Sequence, residues 1–377
     1  KKLFGENMYL SASQLEVYGN CPFMYFCRYG LRAQKRLSAK LDPAQSGTVV
    51  HYVLENILRK YKGKDFLNLS DKQIKDEISF YLNEYIDTNM GGIEDKQERF
   101  NYLFFRMEKI LSRIFERLIA EFSEGDFEPC DFELMIDEKG DVKPAVIHLK
   151  SGSVQLRGVI DRVDKMDLDG KRYIRVVDYK TGVKEFLLSD VLSGLNMQML
   201  LYLMSIWKNG TGFYEDIVPS GVLYFPARIS PYAVKRQDSD EEKRDKRFTA
   251  GKMSGMLVGD DEILSRMEKD LGGRFIPAKI DARSKKLKGN FISVSQLKKL
   301  GEKMDEIIVR MGNSLHDGLI PARPAFGPGH SETCTYCDFA DVCLKDKPEY
   351  RYIPKMNHEE SIRQLMGGED GEQKLDL

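Results

Sequence analysis

Apolar positions alternate with polar ones most cleanly between Gly158 and Gly182. Val159, Ile160, Val163 and Met166 precede Asp169-Gly170, and Tyr173, Ile174, Val176 and Val177 follow it. Asp-Gly between two such runs signals a hairpin. Its first strand should end near Met166 and its second should run from about Tyr173 to Tyr179. Shorter strand patterns stand at Phe132 to Ile136, Ala145 to Leu149, Val154 to Leu156 and Gly221 to Phe225. Helical spacing appears from Gly47 to about Lys60, where Val50, Val53, Leu54, Ile57 and Leu58 form one stripe. It returns at Ile74 to Met90, Glu98 to Phe122, Ser189 to Trp207 and Ser295 to about Leu315, with Gly91-Gly92 separating the first two. Ser13-Gln-Leu-Glu16 reads as a capping box opening a short helix. Helix, strands, helix, strand predicts an α/β sandwich on a mixed sheet flanked by helices.

Two stretches interrupt this core. Residues 62–128 read as a helical insertion covering the sheet, and residues 228–290 as a charged insertion. Within the latter, Asp238 to Arg247 carries both signs and reads as a solvated loop. Arg283-Ser-Lys285-Lys286-Leu-Lys288 is purely basic and reads equally as a phosphate contact or a solvated loop. Residues 1–350 are expected to form a single domain, and the polar, Gly-rich tail 353–377 to be disordered.

The hairpin brings the chemistry. It places Asp161 and Asp178 near one end of the sheet, and two carboxylates so close repel unless a cation lies between them. Hard oxygen ligands suit Mg²⁺ or Mn²⁺, which also bind phosphate oxygens. Lys180 lies two residues past Asp178, so on a strand both point to one face. An ammonium there can position an attacking water and offset transition-state charge. An Asp beside a Lys on a strand is more often a solvated ion pair, but Asp178 ends an apolar run. His51, by itself, reads as a core or surface histidine.

A second constellation is Cys334-Thr-Tyr-Cys337-Asp-Phe-Ala-Asp-Val-Cys343, with C-x2-C-x5-C spacing. Three thiolates so spaced can close on one metal centre. The fourth ligand stays open: His330 would favour zinc, and Cys21 is the other candidate. Cys27 and Cys130 read as free or structural.

Composition narrows the classes. The chain has 377 residues, six cysteines and a net charge of −1. So few cysteines in so long a chain do not make a disulfide scaffold, which points to a reducing, cytoplasmic setting. The charge balance means that any DNA contact is a local patch. Apolar stretches fall short of a membrane span, no secretory signal opens the chain, and no phosphate-cradling G-x-x-x-x-G-K-[ST] loop occurs. The first residue is Lys1, so the chain reads as an excised fragment.

Gly47…His51, Gly158-Val-Ile-Asp161-Arg-Val-Asp164, Asp178-Tyr-Lys-Thr-Gly182 and Gln198…Tyr202 occur in that order. This series resembles the PD-(D/E)xK nuclease superfamily in its RecB-like branch, with Ile160 where proline often precedes the first aspartate. The resemblance implies a restriction-endonuclease-like core and a Mg²⁺-dependent DNA exonuclease. It implies His51, Asp161, Asp178 and the Tyr179 carbonyl as metal ligands. Lys180 would orient water, with Gln198 and Tyr202 supporting the lysine and the DNA backbone. Glu55, one turn from His51, would support the histidine. Branch members with an iron–sulfur staple carry one cysteine before the core and three after it. That pattern implies a [4Fe–4S] cluster on Cys21, Cys334, Cys337 and Cys343, joining the N- and C-terminal segments. Size and the opening Tyr9-Leu-Ser-Ala-Ser-Gln-Leu-Glu16 are similar to the AddB-type group. Its members pair with an AddA-type helicase–nuclease to process double-strand DNA ends for recombinational repair. The alternatives are a standalone Cas4-like iron–sulfur exonuclease and a non-catalytic iron–sulfur or zinc DNA-binding module.

Overall fold

The computed structural model describes residues 3–34, 43–90, 98–259, 261–327, 333–343 and 349–367. His330, Gly91-Gly92 and the end of the tail lie outside the described residues.

The N-terminal part comprises β1 (Asn7–Ser11), α1 (Ala12–Asn20), α2 (Pro22–Tyr25), α3 (Pro43–Lys60), α4 (Asp71–Met90) and α5 (Glu98–Glu124). The sheet continues with β2 (Glu128–Ile136), β3 (Val146–His148), β4 (Ser153–Leu168) and β5 (Lys171–Lys180). A crossover through α6 (Leu188–Leu192) and α7 (Gln198–Asn209) leads to β6 (Ile217–Pro226). Then come α8 (Asp240–Ala250), β7 (Ser254–Val258), α9 (Asp261–Met267), the small hairpin β8 (Ala278–Ile280) and β9 (Leu287–Gly289), β10 (Phe291–Ile292) and α10 (Val294–His316). The C-terminal segment holds β11 (Ala325–Phe326), α11 (Ala340–Cys343), β12 (Arg351–Tyr352) and α12 (His358–Leu365).

The sheet is mixed, in the order β1-β4-β5-β6-β7-β10. The long β4 pairs with β1 and β3 along its first half and with β2 and β5 along its second. β4 and β5 form the expected hairpin, antiparallel from Arg162↔Val177 to Leu168↔Lys171. Asp169 and Gly170 both take positive φ, 50° and 72°. That is the mirror-image turn whose twist matches the strands, and glycine tolerates it best. β5 and β6 run parallel, as a helical crossover requires.

Each face of the sheet carries its own core. One packs Val163, Val176, Leu200, Met204, Ile307 and Met311 under α7 and α10. The other packs Val53, Ile57, Phe115, Phe122, Val177 and Phe225 under α3, α4 and α5. Helices α3, α4 and α5 therefore cover one face.

Four local expectations need correction. The first capping box is Ser11 with Gln14, because α1 starts at Ala12, while Glu16 pairs with Lys184 at 3.3 Å. The helix expected over Ser189 to Trp207 is two helices, since Gly194 (φ 78°) and Asn196 (φ 54°) break it. The charge run at Asp238 to Arg247 is largely helix α8, capped by Ser239 and Glu242 and anchored by buried Phe248. In the tail, α12 forms with an Asn357/Glu360 capping box and buries Ser361 and Leu365. The last two differences have one cause: polarity marks both segments as loops, and their caps outweigh it.

Candidate active site

The register of three strands builds the site. Arg162 faces Phe132 across β2 and Val177 across β5, which sets Glu133 and Asp178 on either side of Asp161. Three carboxylates thus stand in a row across the sheet. Like charges directly opposite one another destabilise a sheet unless something offsets them. Lys180 offsets part of this: its Nζ lies 2.6 Å from Asp178 Oδ2. Asp161 Oδ2 accepts the Tyr179 backbone N–H at 2.8 Å.

From α3, His51 closes the site. Its Nε2 lies 3.0 Å from the Tyr179 carbonyl oxygen. A carbonyl can only accept, so Nε2 carries the proton and Nδ1 faces Asp161 Oδ2 at 3.5 Å. His51, Glu133 and Asp161 each offer a ligand atom within 4.8 Å of the others. Glu55, one turn on, pairs with Arg59 at 2.9 Å, and its charge reaches Glu133.

Glu133 is the residue that sequence reasoning misses. It stands inside an apolar strand pattern as an ordinary outward position. A signal is present, since a register opposite Asp161 follows once β2 is paired with β4. Its backbone takes φ 49°, uncommon for a glutamate.

α7 supplies the far wall. Gln198 Nε2 donates to Tyr202 Oη at 3.4 Å. Tyr202 is held above the usual tyrosine range, first by burial, and it lies within the field of Asp178 and Asp161. Its ring occupies the space where a Cβ on Gly158 would sit, with Tyr202 atoms 2.4–2.6 Å from that position. Gly158 is thus a close-approach glycine.

Behind the site lies a buried charge network. Arg162, fully buried, donates from Nη1 to Tyr179 Oη at 3.0 Å and from Nη2 to Asp164 Oδ2 at 3.1 Å. Arg175 donates from Nε to Asp164 Oδ2 at 2.8 Å and from Nη2 to Glu121 Oε1 at 2.7 Å. Tyr179, whose carbonyl holds His51, is therefore positioned from below by Arg162.

Burial, then the charge of Asp161, pushes Asp178 up to about 6. Burial, then Asp161 and Glu55, pushes Glu133 up to about 7. Both folded-state values lie above their unfolded ones. The metal-free fold is therefore favoured at acid pH and loses that contribution as pH rises through 6 to 7. A divalent cation held by Asp178 and Glu133 would have to displace those protons. Mn²⁺ affinity is expected to be highest above about pH 8 and to fall as pH drops through 7 and 6, by up to roughly tenfold per unit for each proton displaced. Calorimetric titration across that range checks this; a flat affinity would remove Glu133 and Asp178 from the ligand set.

A family model described as the PD-(D/E)XK nuclease superfamily matches residues 9–344. The chain belongs to that superfamily. Nucleases of this superfamily imply a divalent metal, and the His51, Glu133 and Asp161 trio is an acidic candidate site for it. The chain is also similar to proteins whose names describe them as one subunit of an ATP-dependent helicase/deoxyribonuclease. The one from Clostridium acetobutylicum is 31% identical over 369 residues, 95% of this chain and 32% of that protein. The one from Clostridium novyi is 32% identical over 370 residues, 96% of this chain and 32% of that protein. The one from Acetivibrio thermocellus is 30% identical over 351 residues, 91% of this chain and 30% of that protein. The chain thus spans about a third of the length of these relatives.

This superfamily member also gathers its cysteines. The Cys334 thiol lies in the fields of Cys21, Cys337 and Cys343, and burial raises its pKa first. Cys21 is buried, and burial likewise raises it. Against that, backbone N–H groups of Met24, Phe23 and Arg323 point at its sulfur and favour the thiolate. Cys27 is nearer to this group than expected, within the fields of Cys337, Cys343 and Cys21. Cys130 stands apart, its thiol donating to the Val163 carbonyl at 3.3 Å. The N-terminal and C-terminal segments already touch there. Phe23 N–H donates to the Pro321 carbonyl at 3.3 Å, Tyr18 Oη to Leu319 at 3.2 Å, and Arg28 pairs with Asp338 at 3.2 Å.

Proposed function

We propose that the chain is the nuclease region of a helicase–nuclease of the AddB type, hydrolysing DNA phosphodiesters with Mg²⁺ or Mn²⁺. The row Glu133–Asp161–Asp178, with Lys180 bonded to its last member, carries this reading. Asp161, Asp178, Glu133, His51 and the Tyr179 carbonyl would hold the metal, which when bound supplies Lewis-acid polarisation and an activated water. Lys180 orients the attacking water and donates toward the charge that develops on phosphate. Gln198 and Tyr202 keep the lysine face and the DNA backbone in register. The substrate is a DNA end cut exonucleolytically, and the partner is an AddA-type helicase–nuclease. The standalone and non-catalytic alternatives are not favoured, since no residue of the motif set is missing and the relatives carry helicase/deoxyribonuclease names.

The test is cleavage of labelled single-stranded and duplex DNA with Mg²⁺ against chelator. Lys180→Ala should cost roughly 10²–10⁴ in rate, the range for a positioned proton-transfer or charge-stabilising group. Mn²⁺ affinity should survive, because the lysine is not a ligand. Loss of metal binding in that variant would contradict its role.

Cys21, Cys334, Cys337 and Cys343 would bind one [4Fe–4S] cluster. Two observations support Cys21 as the fourth ligand: its field reaches Cys334, and backbone N–H groups already point at its sulfur. Donors so placed stabilise thiolates and tune iron–sulfur centres. Protein purified without oxygen should be brown. Cys21→Ser should bleach it and cost on the order of 5 kcal/mol of stability in the loop-closure model. Cys27→Ser and Cys130→Ser should stay brown. A colourless protein with one zinc, stable as Cys21→Ser, would overturn the assignment.

A further inference from the structure

β6 is the parallel neighbour of the catalytic strand, with Lys180 opposite Pro226 and the Ala227 N–H donating to the Lys180 carbonyl at 2.9 Å. Just past that pair a cavity of about 750 Å³ opens between the end of β6 and helices α4, α5 and α8. Its walls carry Lys75, Lys109, Arg113, Arg117, Arg228 and Arg247, against the acids Asp71 and Glu116. Glu116 takes up two of these cations, Arg113 at 2.8 Å and Arg247 directly. Lys75, Lys109, Arg117 and Arg228 have no ion-pair partner among the described residues.

Arg117 is the base of this cavity. It is 6% exposed, and its guanidinium lies over the Phe225 ring at 4.6 Å. Its Nη1 reaches the cavity wall at Gly251, where an added Cβ would lie 2.9 Å away. Nε and Nη2 have no hydrogen-bond partner, and neither has the buried Nε of Arg228. The ring contact with Phe225 satisfies the face of the Arg117 guanidinium only. It leaves the in-plane donors bare, which costs free energy in a buried group. Those donors form the fork that matches two oxygens of a phosphate. Burial lowers the Arg117 pKa to about 10, so it stays cationic at neutral pH. The cavity volume is within the range of ligand sites. Exposed Tyr232 on its rim offers a face for a base to stack on.

We propose that this cavity seats a backbone phosphate of the DNA strand whose scissile phosphodiester lies at Asp161, Asp178 and Lys180. The proposal rests on the nuclease reading and adds to it a strand path: across the end of β6, between the helical insertion and α8. It gives both insertions a role in holding substrate.

The test measures binding of a labelled single-stranded oligonucleotide in Ca²⁺ over a range of salt. The variants are the rim-and-wall triple Lys75→Gln/Lys109→Gln/Arg228→Gln, which leaves the buried arginine in place, and Arg117→Met. The triple should weaken binding on the order of tenfold and flatten the salt dependence by up to about one contact per charge removed. Arg117→Met should act in the same direction. Lys303→Gln, in the exposed Lys303–Glu306 pair outside the cavity, should keep nearly wild-type binding and slope. Unchanged affinity and slope in the triple would overturn the proposal. So would inorganic phosphate binding that the triple abolishes while the oligonucleotide binds as before, since the site would then take free phosphate and not the strand. Failure of the nuclease reading looks different: the wild type would bind DNA, the triple would lose it, and neither would cut.

Discussion

Asp178→Ala is expected to abolish cleavage, by on the order of 10⁴ or more, the scale seen when one member of a cooperating catalytic set is removed. The carboxylate sits at the end of β5, 4% exposed, between Asp161 and Lys180. Without it a bound metal would lose an oxygen ligand, and Lys180 loses the anchor at 2.6 Å that fixes its direction. The same change should not destabilise the metal-free fold. The folded protein holds the Asp178 carboxyl near 6 because burial and Asp161 disfavour its charge. Replacing it therefore relieves a cost, first of burial and then of repulsion by Asp161, that grows as pH rises from the usual carboxylate range to about 6. Rate assays with Mg²⁺ and thermal melts in chelator separate the two effects. Wild-type cleavage by the variant would move the catalytic site elsewhere. A large loss of melting temperature in chelator would show that the carboxylate is structural.

Asp164→Ala should produce the opposite profile, a loss of stability of about 3–5 kcal/mol. Asp164 is fully buried and serves two fully or nearly fully buried arginines, Arg162 at 2.8 Å and Arg175 at 2.8 Å. Removing the anion leaves two cations in the protein interior with Glu121 as the remaining partner of Arg175. Water cannot replace the carboxylate there, because Phe122, Phe127 and Phe225 lie against the guanidinium groups. Denaturant unfolding checks the value, with the exposed Lys303–Glu306 pair as a control worth under about 1 kcal/mol. A change in Asp164→Ala no larger than that control would mean that the network is solvated. Activity should fall as well, since Arg162 holds Tyr179 and the Tyr179 carbonyl holds His51.

Most of the candidate site's placement could be read from local order. Asp169-Gly170 between two apolar runs determined the hairpin, and strand periodicity then put Asp161, Asp178 and Lys180 together. The α3 stripe and the C-x2-C-x5-C spacing were equally local. What the sequence could not rank was polarity in context. The run Asp238 to Arg247 and the tail around His358 are as polar as disordered segments, yet caps and a few buried side chains make both helical.

Three features were decided only by tertiary structure. Glu133 entered the site because β2 pairs with β4 in a register that the sequence does not encode locally. Arg162 and Asp164, to which the motif by itself gives no partner, form a buried network because α5 and three aromatic rings close over them. The basic cavity at Arg117 draws its walls from α4, α5, β6 and α8. The physical reason is the same in each case. Periodicity within one element fixes which face a side chain takes, whereas its partners, and so its charge state, come from elements far away in the chain.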